Sequence, residues 1–215
     1  MAFDPEAFAD ALARIPTVVA VVLGGSRATG RARPDSDWDF GIYYDGALDT
    51  DDVRALGHEG QVSEIGEWSP LMNGGAWFVI DGVKVDVIYR DVAAIAHWIS
   101  EANEGRFKVE LLNGYLAGFP TTVLVGEVAL GKVLHGSLPF SVAAFPEALR
   151  DTAPSHWRGR RDFHEMYAGF HEKRGDDMLA AANRTRALVE EAHARMAERG
   201  EWVLNEKGLL ARAGL

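Results

Sequence analysis

The chain of 215 residues has no cysteine, which excludes disulfide staples and thiolate metal sites. It also lacks a long apolar run. The β-branched stretch from Thr17 to Leu23 is far shorter than the roughly 20 residues that a bilayer span takes, so no membrane contact is expected. Basic residues are in deficit: 22 Lys and Arg stand against 32 Asp and Glu, for a net charge of −10. Such a balance does not gather polynucleotide by general electrostatics, so long nucleic acid is not an expected partner. The opening residues MAFDPEAFAD carry acids where a secretory leader would carry a basic stretch, and the expected location is cytoplasmic. The hydrophobic content, 47%, is enough to bury a core.

What is present reads in order along the chain. Asp4 suits a helix N-cap, Pro5 the first helical position, and Phe3 with Phe8 a staple across the cap. Pro16 stops that helix, and Thr17 to Leu23 reads as a strand buried on both faces. WDFGIYY, from Trp38, is a second strand, and Thr50 to Gly57 a short helix. Ala76–Ile80 and Val83–Tyr89 flank Asp81-Gly82, a strong two-residue hairpin signal. In the second arm Val83, Val85, Val87 and Tyr89 alternate with Lys84, Asp86, Ile88 and Arg90, which puts Asp86 on the face of Lys84.

Further on, Val92 to Asn103 and Arg106 to Leu116 suit helices, while Thr121 to His135 fits helix or strand. Pro139, Pro146 and Pro154 mark a change of character. In the helical tail beyond them, Met178, Ala182, Thr185, Val189, Ala192 and Met196 form one face. The predicted class is α+β: a mixed sheet flanked by helices over residues 1–136, then an all-helical domain over 137–215.

The chemistry concentrates between Gly24 and Tyr43, GGSRATGRARPDSDWDFGIY. Glycines at a strand end let backbone amides approach an anion; Ser26 adds a hydroxyl, and Arg27 or Arg31 could neutralise phosphate. Gly25 to Arg31 falls short of a phosphate-binding P-loop, because Arg31 replaces the lysine and Ala32 the metal-binding hydroxyl. Downstream, Asp37 and Asp39 are two residues apart at a strand start and so share a face. Paired carboxylates repel unless they share a hard cation, which for magnesium means one or two acids plus water and phosphate. A third acid on a neighbouring strand would admit a second ion, and Asp86 has the right parity.

This pattern resembles the DNA polymerase β-like nucleotidyltransferases, in the branch of aminoglycoside and minimal nucleotidyltransferases. Gly25, Ser26, Gly30, Ser36, Asp37, Asp39 and Asp86 carry the resemblance. It implies that residues 1–136 form a nucleotidyltransferase core and that Gly25, Ser26, Arg27 and Ser36 bind the nucleotide. Asp37, Asp39 and Asp86 would be the catalytic and metal-binding acids, with Asp86 either a metal ligand or the base for the acceptor hydroxyl. Lys207, in WVLNEKGL, resembles a lysine that faces the nucleotide in several relatives.

The implied cofactor is Mg2+, as two ions, and the implied substrate is ATP or another nucleoside triphosphate. The expected reaction moves a nucleoside monophosphate, AMP, to a hydroxyl of a small acceptor such as an aminoglycoside-like antibiotic, releasing pyrophosphate. The acceptor would enter between the two domains. The alternative is an antitoxin-type module that binds or nucleotidylates a partner protein. Other features read as structural. His164 and His171 have no third ligand at metal spacing, and Glu127 in its apolar stretch needs a salt-bridge partner. Trp68 and Trp77 flank the loop Ser69 to Gly75, a candidate border of the substrate pocket.

Overall fold

The computed structural model describes residues 3–215. In chain order the first elements are α1 (Pro5–Ala13), β1 (Val18–Leu23), α2 (Gly25–Ala28), β2 (Trp38–Tyr44), α3 (Thr50–Arg54), β3 (Glu59–Val62), β4 (Gly75–Ile80) and β5 (Val83–Asp91). There follow α4 (Val92–Asn103), β6 (Val109–Glu110), β7 (Phe119–Pro120), α5 (Thr122–Leu130), β8 (Lys132–Gly136), α6 (Glu147–Glu172), α7 (Asp177–Glu198) and α8 (Leu209–Ala213). The class is α+β. The chain forms two compact units, and they do not divide at residue 136. One unit runs to His97 and takes in Glu127–Ser141; the other comprises Trp98–Gly126 and Val142–Leu215.

The first unit is built on a six-stranded mixed sheet of order β3-β4-β5-β2-β1-β8. β2 and β5 run parallel, and the other neighbours are antiparallel. The Asp81-Gly82 turn joins β4 to β5 with both residues at positive φ, 51° and 79°, the conformation that a tight hairpin of matching twist requires. One sheet face carries Val21, Leu23, Phe40, Ile42, Phe78, Val85, Val87 and Tyr89, all buried in a single core with Phe8 and Leu12 of α1. Asp4 caps α1 by accepting from the amides of Glu6 and Ala7, and the Phe3 and Phe8 rings meet at 5.8 Å. β1 is buried from Ala20 onward, but Val19 is 39% exposed.

The second unit centres on the antiparallel α6–α7 hairpin. Its apolar cluster joins Trp157, Ala192, Met196, Val203 and Leu209. Three expectations change here. Arg106 to Leu116 is not a helix: Gly105 (φ 74°) ends α4, and the Thr121 amide donates to the Lys108 carbonyl at 2.9 Å while the Lys108 amide donates to Thr121 Oγ1 at 3.1 Å, which holds the chain extended. The helical tail does not wait until after Pro154: α6 starts at Glu147, and Pro154 lies inside it, buried beside Ala153 and Trp157, so packing outweighs the lost helix bond. The α7 face is divided: Val189, Ala192 and Met196 are buried, whereas Ala182 and Thr185 are exposed and Met178 is 84% exposed. The ambiguous Thr121–His135 stretch resolves into α5 followed by the exposed edge strand β8. Among the described residues no helix is long and apolar enough to cross a membrane.

Candidate active site on the open face of the sheet

The sheet face opposite the core carries the expected acids. Asp39 on β2 pairs in register with Asp86 on the parallel strand β5, so two carboxylates project from adjacent strands to one side. Asp37 immediately precedes β2, two residues before Asp39. The amide of Gly24 donates to the carbonyl of Asp39 at 2.8 Å, which ties the end of β1 to the start of β2. Gly25 then opens the single-turn helix α2 at φ +60°. A Cβ at Gly25 would run into the Asp39 carboxylate, so glycine is required there for space as well as for backbone conformation. Ser26 follows in the same turn, and its carbonyl accepts from the amide of Arg31 at 2.9 Å.

Arg27 is engaged within the loop. Its guanidinium donates to the carbonyls of Ser36 (2.5 Å) and Asp37 (3.1 Å), and it lies 4.2 Å from the Trp38 ring centroid. Arg27 thus fixes the backbone that presents Asp37. The Ser36 hydroxyl accepts from the Arg33 amide at 2.9 Å and closes the preceding turn. Lys207 lies in the second unit, exposed, in a turn where its amide donates to Asn205 Oδ1 at 3.0 Å.

The donor set suits a hard divalent cation: carboxylate oxygens only, two of them in strand register, with room kept beside Asp39 by Gly25. Among the described residues no three acids or histidines already converge as a metal cluster.

Sequence reasoning missed the brace behind these acids. Arg90 is on the same face of β5 as Asp86, four residues on, and is only 2% exposed. It makes a bidentate pair with Glu127 of α5, at 2.7 and 2.9 Å, and donates to the carbonyls of Met72 and Tyr89, both at 3.0 Å. Glu127 has the salt-bridge partner its apolar surroundings called for. Tyr43 of β2 shares this face and is buried; burial and then the Glu127 charge push its phenol well above the usual range, against the pull of Arg90. The available signal was Arg90's own position, an arginine at the parity of Asp86 between a buried tyrosine and a helix start.

Residues 6–97 match the family described as the nucleotidyltransferase domain. Over that segment the chain is similar to the nucleotidyltransferases. The matched segment contains Gly25, Ser26, Asp37, Asp39 and Asp86. The chain is also 28% identical over 129 residues to the protein adenylyltransferase MntA of Aphanizomenon flos-aquae (strain 2012/KM1/D3), over 57% of this chain and 77% of that protein. A nucleotidyltransferase-like protein of known crystal structure, from Exiguobacterium sibiricum 255-15, aligns at 12% identity with a TM-score of 0.42. That alignment covers 97% of this chain, which spans 60% of the other.

Proposed function

We propose that this chain is a metal-dependent adenylyltransferase that moves AMP from ATP to an acceptor hydroxyl. The observation that carries the proposal is the register of Asp39 with Asp86 beside the Gly25–Ser26 turn. Asp37 and Asp39 would hold Mg2+ and Asp86 would complete the acidic set, either as a ligand or as the base for the acceptor. Mg2+ bound there would neutralise phosphate charge and orient the α-phosphate. The amides and hydroxyl at Gly25 and Ser26 would hold the β- and γ-phosphates. Arg27 and Ser36 keep the loop in place.

In-line displacement needs the entering and leaving oxygens on opposite sides of the α-phosphorus. Pyrophosphate would leave toward Gly25 on the β1 side, and the acceptor would enter from the Asp86 side. For the acceptor, the relative named as a protein adenylyltransferase favours a protein hydroxyl. The net charge of −10 favours the second reading, a small polycationic compound, through charge complementarity.

The test is calorimetric titration with a non-hydrolysable ATP analogue, with and without Mg2+, for the wild type and Asp37→Ala/Asp39→Ala. Saturable binding that needs both the metal and the acids is expected. A folded wild type that binds no nucleoside triphosphate sinks the proposal. Label transfer from ATP to protein or to a polyamine sugar then separates the two acceptor readings.

A further inference from the structure

The open face of the sheet carries an aromatic surface that the reaction so far leaves unused. Trp77 on β4 is the direct cross-strand partner of Asp86, so its indole stands one strand beyond the acids. Reading across the face, Gly25 at the start of α2, Asp39 on β2, Asp86 on β5 and Trp77 on β4 follow one another. Trp77 is 45% exposed, although a large aromatic ring in the middle of a strand is ordinarily covered. Its ring stacks on that of Trp68, with centroids 4.2 Å apart and planes at 22°.

This pair is held in place. A Cβ at Gly75 would strike the Val87 carbonyl and then the Trp68 ring, so the glycine leaves the space in which Trp68 packs on the sheet. The segment between the two tryptophans is tied at several points. The amide of Gly75 donates to Ser63 Oγ at 2.9 Å, Asn73 Nδ2 donates to Tyr44 Oη at 2.6 Å, and the Met72 carbonyl accepts from buried Arg90. A rigid, partly exposed indole pair with acids beside it is arranged for recognition, because stacking on a pre-ordered ring costs little entropy.

We propose that the Trp68–Trp77 pair is the acceptor subsite, and that the acceptor is a hydroxyl carried on a ring, either a phenol or a sugar. The inference rests on the adenylyltransferase reading, since it takes the side from which the acceptor enters from the in-line requirement. Strands lie about 4.8 Å apart, so a ring lying over Trp77 brings a hydroxyl on its own edge within reach of Asp86. A hydroxyl on a flexible chain gains nothing from the indoles. In the transfer the acceptor oxygen bonds to the α-phosphorus, the bond to the bridging oxygen breaks, pyrophosphate takes that electron pair, and the hydroxyl proton passes to Asp86 or to water.

The test titrates N-acetyltyrosine amide, methyl glucoside and the ringless N-acetylserine amide into protein saturated with Mg2+ and the ATP analogue. The wild type should bind at least one ring compound about tenfold or more tighter than the serine amide, and which one binds identifies phenol or sugar. Trp77→Ala should weaken that binding about 10- to 100-fold, the range that loss of one stacking partner gives. Trp77→Phe should recover part of it, and ATP-analogue affinity should stay unchanged in both. Trp68→Ala is the second variant, in case Trp77→Ala perturbs folding as read by circular dichroism. If the analogue binds but no ring compound is preferred, or the tryptophan variants bind as the wild type does, the subsite proposal is overturned. If the analogue does not bind the wild type, it is the underlying reading that has failed.

Discussion

Arg90 in the sheet unit and Glu190 in the helical unit are both buried charges, 2% and 0% exposed, yet they are accommodated differently. Arg90 makes a forked pair with Glu127 and donates to two backbone carbonyls, so its geometry is specified bond by bond. Glu190 sits among His164 at 2.7 Å, Arg160 at 3.2 Å and Arg186 at 3.5 Å. Its Oε1 and the Nε atoms of both arginines lack a hydrogen-bond partner. The sheet unit fixes direction, which a site assembled from neighbouring strands needs. The helical unit balances charge between two helices, which tolerates looser geometry because Coulomb attraction is less directional than a hydrogen bond.

The sharpest separation is between chemistry and stability within the sheet unit. Asp39→Asn should lower AMP transfer by about 10³-fold or more, while the melting temperature stays within a degree or two of wild type, because the acid lies on the open face. Steady-state transfer kinetics beside a thermal melt would reveal a hidden structural role if both fell together. Next in size is the brace. Glu127→Ala leaves Arg90 buried without its counter-charge and should cost about 3–5 kcal/mol in urea unfolding. Arg90→Met/Glu127→Leu should recover most of that stability, and if it also restores transfer, the brace does not position the site.

Glu190→Gln should cost less, about 1–3 kcal/mol, since an amide still accepts from His164 and the arginines already tolerate loose geometry. A loss as large as that of Glu127→Ala would erase the distinction between the two units.

The smallest effect concerns pH. Glu206 is pushed up by burial, but His193 and the amides of Ala117 and Leu116 pull its carboxyl below the usual value. A depressed carboxyl stabilises the fold above its unfolded value of 4.5 and loses that contribution as the pH falls below it. Thermal melts between pH 6 and pH 3 should therefore show Glu206→Gln roughly 2–4 °C below wild type at pH 6. The two should converge in acid, and a constant gap would assign Glu206 a role independent of its charge.

Much of the sheet unit was legible in advance because strand parity is a local property. Asp86 lies opposite the buried Val85 and Val87, as alternation along β5 predicts, and Asp81-Gly82 takes the positive φ values of a tight hairpin. Less local features were not legible. Arg27 was expected at phosphate, but its guanidinium binds the carbonyls of Ser36 and Asp37, a choice made by the path of the loop. Met178, Ala182 and Thr185 have helical periodicity but remain exposed, because periodicity marks a face without saying whether anything covers it.

The sequence by itself determined the helix cap at Asp4, the hairpin with its register, and the side of the strand on which Asp86 stands, since each depends on residues a few positions apart. Only the tertiary structure decided that Asp39 stands beside Asp86 and that Arg90 meets Glu127. Those contacts join residues 47 and 37 positions apart in the sequence. Strand order and parallel register set them, and these depend on how the whole sheet buries its apolar face, which no short window of residues encodes.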